Sequence, residues 1–181
     1  MVSDFKDLFG DWRPEDRASS PTDENGFPEP ENRGYRPLNE KEVKVVNVWE
    51  GIMEPTSAAG TSGGLQSFFV QLRDNRGREF RIYVVRDVAL SIAMALNRGT
   101  PERPFTHDLM KTMLDKLGAE VDRVIIDDLW QDTFYAKIAI VHNGKTVEID
   151  SRSSDAIAIA LRYQAPIYVA EEVLERVQVD S

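Results

Sequence analysis

One stretch of the chain, residues 145–164, reads KTVEIDSRSSDAIAIALRYQ and carries two patterns in succession. Val147 and Ile149 alternate with polar residues, which indicates a half-buried strand. Residues 153–164 then carry apolar side chains on most sides of a helical wheel, which predicts a buried helix. A glycine turn, the one around His142-Asn143-Gly144, precedes this stretch and closes a hairpin with residues 132–141.

The same order of hairpin, glycine turn and apolar helix occurs earlier in the chain, between residues 65 and 97. Gly77 matches Gly144 and Ala89 matches Ala156 at the same offset. The match predicts internally duplicated β-β-α units, and hence an α+β fold with helices packed on a largely antiparallel or mixed sheet. Neither GxGxxG nor GxxxxGK[ST] occurs in the chain, so no nucleotide cradle is indicated.

Periodicity and turn residues predict the other elements in the same way. The predicted strands are 43–51, 65–74, 78–85, 119–129, 132–141, 145–150 and 165–170. The predicted helices are 87–97, 106–117, 153–164 and 171–177, with a small-residue loop at 54–64.

Residues 1–40 form an acidic extension that contains five of the nine prolines, and residues 41–181 form the folded domain. The extension has too little apolar periodicity to offset its ordering entropy, so we expect it to be partly disordered. Its patch FKDLFGDW places Phe5, Leu8, Phe9 and Trp12 at helical spacing, which makes it a candidate docking segment for a partner protein.

The composition restricts the chemistry and the location of the protein. There is no cysteine, which excludes disulfides, thiolate metal sites and a cysteine nucleophile. The net charge of -9 argues against broad, non-specific binding of phosphates. No apolar run is long enough to span a bilayer, and the N-terminus lacks the pattern of a signal peptide, so we expect a cytoplasmic protein with no membrane contact.

Two helix starts carry the polar residues that could do chemistry. In RPFTHDLM, residues 103–110, Thr106 suits an N-cap and Asp108 complements the helix dipole, but neither role accounts for His107. A helix N-terminus disfavours the protonated imidazole, which would suit a general base, although a packing or surface histidine is the more frequent case. The other histidine, His142, lies in a turn and is expected to be merely exposed.

The second start, SRSSDAIAIA at residues 151–160, offers Ser153 or Ser154 as a cap and Asp155 in the first turn. Asp155 and the strand-end Asp150 could meet other carboxylates, such as Asp127, Asp128 and Asp132, and hold Mg²⁺ or Mn²⁺. Arg103 and Arg152 stand just before the two helices and could bind a phosphate, or form surface salt bridges.

Taken in order, the blocks R-P-F-T-H-D-L, V-I-I-D-D-L, T-F-Y-A, D-S-R-S-S-D-A-I-A-I-A-L and P-I-Y-V resemble the bifunctional nuclease domain family, over roughly residues 42–177. The resemblance implies a compact duplicated α+β domain and nuclease activity on RNA or DNA. The polar positions of the family fall here on Arg103, Thr106, His107, Asp108, Asp150, Arg152, Ser154 and Asp155. One position departs from the pattern, because Val88 stands where family members usually have a glutamate, and Asp87, one position earlier, could substitute for it.

Two functions follow as hypotheses. In a metal-dependent nuclease, His107, Asp108 and Asp155 would be catalytic, Asp108, Asp150 and Asp155 would bind Mg²⁺ or Mn²⁺, and Arg103, Thr106, Arg152 and Ser154 would bind the substrate. In the alternative, the protein is a non-catalytic homo-oligomeric scaffold or regulator that binds an anionic ligand at the two helix starts. The two hypotheses differ in whether His107 and the aspartates share one site.

Overall fold

The computed structural model describes residues 39–53 and 65–179, so residues 1–38 of the predicted extension, which include the patch FKDLFGDW, and the loop 54–64 lie outside the described residues. The seven strands are β1 (Glu40–Met53), β2 (Leu65–Asp74), β3 (Glu79–Val84), β4 (Glu120–Trp130), β5 (Thr133–His142), β6 (Lys145–Arg152) and β7 (Ile167–Ala170). The four helices are α1 (Arg86–Leu96), α2 (Thr106–Leu117), α3 (Ser153–Tyr163) and α4 (Glu171–Val179).

All seven strands form one mixed sheet in the order β3-β2-β1-β7-β4-β5-β6. Two antiparallel meanders, β1-β2-β3 and β4-β5-β6, are joined by β7, which pairs antiparallel with β1 and parallel with β4. The predicted α+β class with a mixed sheet is therefore confirmed. Each meander is followed by a helix, but common ancestry of the two halves stays a prediction.

The sheet is strongly curled. The ring centroids of Phe80 on β3 and Phe134 on β5 lie 6.0 Å apart. Five strand spacings separate β3 from β5 in the sheet order, which would amount to roughly 24 Å in a flat sheet. Curling therefore brings the two meanders together around a single apolar core.

The helix α3 lies at the centre of that core. Residues Ala156 to Ala160 are fully buried, as the apolar pattern predicts. The helix packs against β4 and β5 and is flanked by α1 and α2. The helix α1 is less buried than α3, because Leu90 is exposed and burial is concentrated at Ala89, Ser91 and Ile92.

Turn chemistry fixes both hairpins. Gly77 and Gly144 have φ values of 82° and 72°, a left-handed conformation that glycine adopts without a steric cost. Asn143 at φ 50° precedes Gly144, and two successive residues with positive φ are typical of the turn that suits the twist of a two-residue hairpin. The predicted turn positions are confirmed.

A partly buried ion cluster ties α4 to the first meander. Arg78 donates to Asp74 Oδ2 at 2.7 Å and to both carboxylate oxygens of Glu171 at 2.7 and 3.0 Å. Burial alone would raise the pKa of Asp74, but the bonds from Arg78 and from the Arg76 backbone outweigh it, so the pKa lies below 3.8. The same guanidinium lowers the pKa of Glu171 from 4.5.

This cluster predicts a loss of stability in acid. Both carboxyls have a lower pKa in the folded chain than in the unfolded chain, so they stabilise the fold above about pH 4, the unfolded value. That stabilisation is lost as the pH falls through the lower folded values. Urea unfolding between pH 7 and pH 2.5 measures the change, and Glu171→Gln is expected to flatten the curve and to cost roughly 2 kcal/mol at pH 7. An identical pH dependence in wild type and variant would contradict the assignment.

Candidate functional site

The N-termini of α2 and α3 meet in space. His107 Nε2 lies 3.2 Å from Asp155 Oδ1, although 48 residues separate them in the chain. The predicted caps need correction. Thr106 is the first helical residue of α2 and Phe105 its N-cap, while Arg152 is the N-cap of α3. Neither Ser153 nor Ser154 caps its helix, because both lie inside the first turn.

The ring of His107 is enclosed between α1 and α3. The residue is 6% exposed, and its Nδ1 lies 2.9 Å from Ser91 Oγ on α1. Both ring nitrogens therefore have a partner inside the protein. The unexplained histidine of the sequence has a clear structural position, in which it joins the start of α2 to both neighbouring helices.

Asp108 is bound by Arg162 of α3. Arg162 Nε donates to Asp108 Oδ1 at 2.6 Å, and the Phe105 backbone N–H donates to Asp108 Oδ2 at 2.9 Å. Burial alone would raise the pKa of Asp108, but these two bonds outweigh it and the pKa lies below its ordinary value. Asp108 is thus an ionised anchor at the start of α2.

Ser91 and Arg162 are site residues that the sequence analysis missed. Arg162 Nη2 donates to Ser91 Oγ at 2.9 Å, and Nη1 donates to the Ala158 carbonyl at 2.9 Å. The available signal was one polar residue, Ser91 or Arg162, in the apolar run that follows the first turn of each helix. A pattern of that kind indicates a buried polar contact, but it does not identify the partner.

The remaining predicted site residues are placed around the two helix starts. Arg103, Thr106 and Arg152 are exposed, and Ser154 is half-buried in the first turn of α3. Asp150 is exposed on β6 opposite Lys137 of β5. The structure thus places His107 in contact with Asp155, and it links Asp108 to His107 through Arg162 and Ser91. Asp150 lies outside this network.

The carboxylates do not fit the predicted metal site. Asp108 has both oxygens engaged by Arg162 and Phe105. Within residues 39–53 and 65–179, no three histidine, aspartate or glutamate side chains lie close enough to hold a metal ion. Asp127 and Asp128 instead form ion pairs with Lys137 and Arg176. Mg²⁺ or Mn²⁺ dependence therefore stays a prediction for experiment.

Two further positions singled out in the sequence are His142 and Val88. His142 is exposed, as predicted, at the end of β5 beside the turn, and its Nδ1 donates to the Gly118 carbonyl at 3.3 Å. Val88 packs against the apolar core in the first turn of α1, beside the exposed Asp87. Val88 thus occupies the third position of its helix, as Asp108 and Asp155 do in theirs, but without a carboxylate.

The apolar face of α2 is turned outward. Leu109, Met110, Met113 and Leu117 are all exposed, with Met113 at 57% and Leu117 at 66%, and Leu114 packs partly against the core. The sequence pattern predicts one apolar face, and the structure leaves most of that face uncovered. In the part of the chain that is described, none of the helices has the length and apolarity that crossing a bilayer requires.

Comparisons with known proteins identify relatives of this domain. The family model of the bifunctional nuclease domain matches residues 70–181. An uncharacterized protein of Mycobacterium tuberculosis strain H37Rv is 39% identical over 104 residues, which make up 57% of this chain and 62% of that protein. Bifunctional nuclease 1 of Arabidopsis thaliana is 29% identical over 103 residues, 55% of this chain and 32% of the plant protein. Bifunctional nuclease 1 of Oryza sativa subsp. japonica is 26% identical over 107 residues, or 58% and 32%. The chain thus spans less than two thirds of the length of each relative.

Proposed function

Since this chain belongs to the bifunctional nuclease domain family, we propose that it hydrolyses phosphodiester bonds in RNA, DNA or both. One observation carries the proposal beyond the family name. The Asp155 side chain is 35% exposed, while its Oδ1 is held by the buried His107. A carboxylate with one oxygen hydrogen-bonded to a buried side chain and the rest accessible to solvent is suited to accept a proton from a water molecule.

In this proposal Asp155 is the general base. It takes a proton from a water molecule as the water oxygen bonds to phosphorus, and the bond from phosphorus to the leaving oxygen breaks. The leaving oxygen takes its proton from solvent. His107 holds the carboxylate, and Asp108 holds the start of α2 through Arg162. His107 as the base stays an alternative, in which its ring must first release one of its two partners.

The substrate phosphate is proposed to bind at the paired helix starts. The first N–H groups of a helix have no carbonyl partner within the helix, and the helix dipole favours an anion there. Arg103 and Arg152 are exposed beside these starts, and neither side chain forms a hydrogen bond or an ion pair with another described residue. Thr106 and Ser154 add hydroxyl groups in the two first turns.

The first test is cleavage of labelled single-stranded RNA, single-stranded DNA and duplex DNA, with Mg²⁺, with Mn²⁺ and with EDTA. We expect cleavage by the wild type and a rise in KM of about tenfold for Arg152→Ala, because one charge-assisted phosphate contact is lost. Arg123→Ala, which removes an exposed arginine of β4, is the matched control. An absence of cleavage on all three substrates in every condition would overturn the proposal. Loss of activity with EDTA would show that a divalent cation takes part in cleavage, and equal activity with EDTA would show that none is needed.

A second candidate function, a homo-oligomeric scaffold that binds an anion, is favoured by the exposed face of α2. Four neighbouring apolar side chains on one helix are unusual on a monomer with a net charge of -9. We propose that a second copy of the chain covers this face. Two more exposed apolar side chains, Val147 and Ile149, lie on the edge strand β6. They are on the face of the sheet that carries Ile138 and Ile140. Self-association is compatible with either function, and so is the proposed cytoplasmic location.

Self-association through α2 predicts a change in mass. Met113→Glu and Leu117→Glu each place a charge in the contact, so both variants are expected to elute as the 20.5 kDa monomer, while the wild type elutes as a dimer or larger. Light scattering after size exclusion measures this. Val85→Glu, at an exposed apolar residue before α1, should leave the mass of the wild type unchanged. A monomeric wild type at high protein concentration would refute the contact.

A further inference from the structure

We propose that Ser91 and Arg162 are positioning residues that fix the tautomer and orientation of His107, through a one-way chain of hydrogen bonds that ends at the Asp155 carboxylate. The chain runs from Arg162 to Ser91, from Ser91 to His107, and from His107 to Asp155. The hydrogen-bond chain and the tautomer are inferred from the distances between these residues. The effect of the chain on catalysis rests on the proposed nuclease function.

The direction of the chain begins at Arg162. A guanidinium carries only donors, so the contact of 2.9 Å between Arg162 Nη2 and Ser91 Oγ has the arginine as donor. Three other groups hold the guanidinium: the Asp108 carboxylate at 2.6 Å, the Ala158 carbonyl at 2.9 Å and the Ser91 carbonyl at 3.3 Å. The Arg162 side chain is 6% exposed and cannot turn away without breaking these bonds.

The second hydrogen bond of the chain joins Ser91 to His107. A hydroxyl has one hydrogen, and that of Ser91 lies in the interior, where the residue is 2% exposed. Its oxygen already accepts from Arg162, and His107 Nδ1 is its other partner among the described residues, at 2.9 Å. If Nδ1 carried a proton, the hydrogen of Ser91 would have no acceptor there, and an unpaired buried donor is costly. The hydroxyl therefore donates to Nδ1.

The tautomer of His107 follows. With Nδ1 as an acceptor, the neutral ring carries its proton on Nε2, and Nε2–H donates to Asp155 Oδ1 at 3.2 Å. Of the four residues in the chain, Asp155 is the most exposed. The chain thus aims one rigid donor at the inner oxygen of Asp155 and leaves its outer oxygen free of any hydrogen bond to the described residues.

Nitrogen-15 NMR of the two imidazole rings tests the tautomer directly, without any need for activity. Free histidine in the same buffer provides the averaging reference, because His142 has partners of its own at Gly118 and Asn143. We expect His107 to be protonated on Nε2 in the wild type and to remain so in Asp155→Ala, because Ser91 still donates to Nδ1. In the double variant Ser91→Ala/Asp155→Ala, the shifts should move toward those of free histidine. Protonation on Nδ1 in the wild type, or equal shifts in the single and double variants, would overturn the proposal.

Kinetics test the consequence. Ser91→Ala is expected to lower kcat by about 10- to 100-fold with KM changed less than about twofold, because the base is misplaced while the phosphate contacts persist. Ser91→Cys keeps the volume and provides a second variant if Ser91→Ala does not fold. A fixed tautomer in an inactive wild type would defeat the nuclease function and keep the positioning chain. Cleavage by a wild type whose His107 ring averages between the two tautomers would keep the nuclease function and overturn the positioning chain.

Discussion

Asp155→Asn is expected to lower kcat for phosphodiester cleavage by about 10²- to 10⁴-fold, the usual contribution of a general base. The amide oxygen can still accept from His107 Nε2, so the architecture of the helix starts should persist while the basic carboxylate is lost. We expect little change in KM, because Arg103, Arg152 and the helix N–H groups are untouched. The measurement is single-turnover cleavage by freshly purified wild type and variant.

Two comparison variants make this result specific. Asp122→Asn replaces an exposed aspartate of β4 that pairs with Arg123, and it should cleave like the wild type. His107→Gln distinguishes the two candidate bases. If His107→Gln is inactive while Asp155→Asn keeps full activity, His107 is the base and Asp155 is not. Equal cleavage by all variants would indicate a contaminating nuclease or a different site.

Arg162→Met is expected to lower the free energy of unfolding by about 3 kcal/mol, because it breaks a partly buried ion pair together with the bonds to Ser91 and Ala158, and leaves Asp108 without its partner. The guanidinium joins three helices, through Asp108 on α2, Ala158 on its own helix α3, and Ser91 on α1. Methionine fills a similar volume but supplies none of these donors. Urea unfolding at pH 7 measures the loss.

The matched controls use another arginine and the partner carboxylate. Arg123→Met removes an exposed pair with Asp122 and should cost less than about 0.5 kcal/mol. Adding Asp108→Asn to Arg162→Met should recover part of the loss, since no buried charge is then left unpaired. A cost for Arg162→Met no larger than that for Arg123→Met would show that the pair contributes little to stability.

Local sequence determined most of the elements of the described domain. The bounds predicted for β2 and α2, residues 65–74 and 106–117, coincide with those of the structure. Both are set by information close in the chain: the alternation of side chains in a strand, the helical spacing of apolar residues, and Gly118 with its positive φ at the end of α2. The blocks around RPFTHDLM likewise identify the family without any structure.

Only the tertiary structure decided how the site is assembled. His107 meets Asp155 across 48 residues, and Arg162 reaches Ser91 across 71, so neither contact follows from periodicity. The insertion of β7 between β1 and β4 places the two meanders side by side, and curling of the sheet closes the core. An amphipathic pattern states that a face is apolar, but not what covers it, which is why the exposed face of α2 could not be foreseen. Local patterns determine elements, because they depend on neighbouring residues. Contacts between elements depend on register and packing, which are properties of the whole fold.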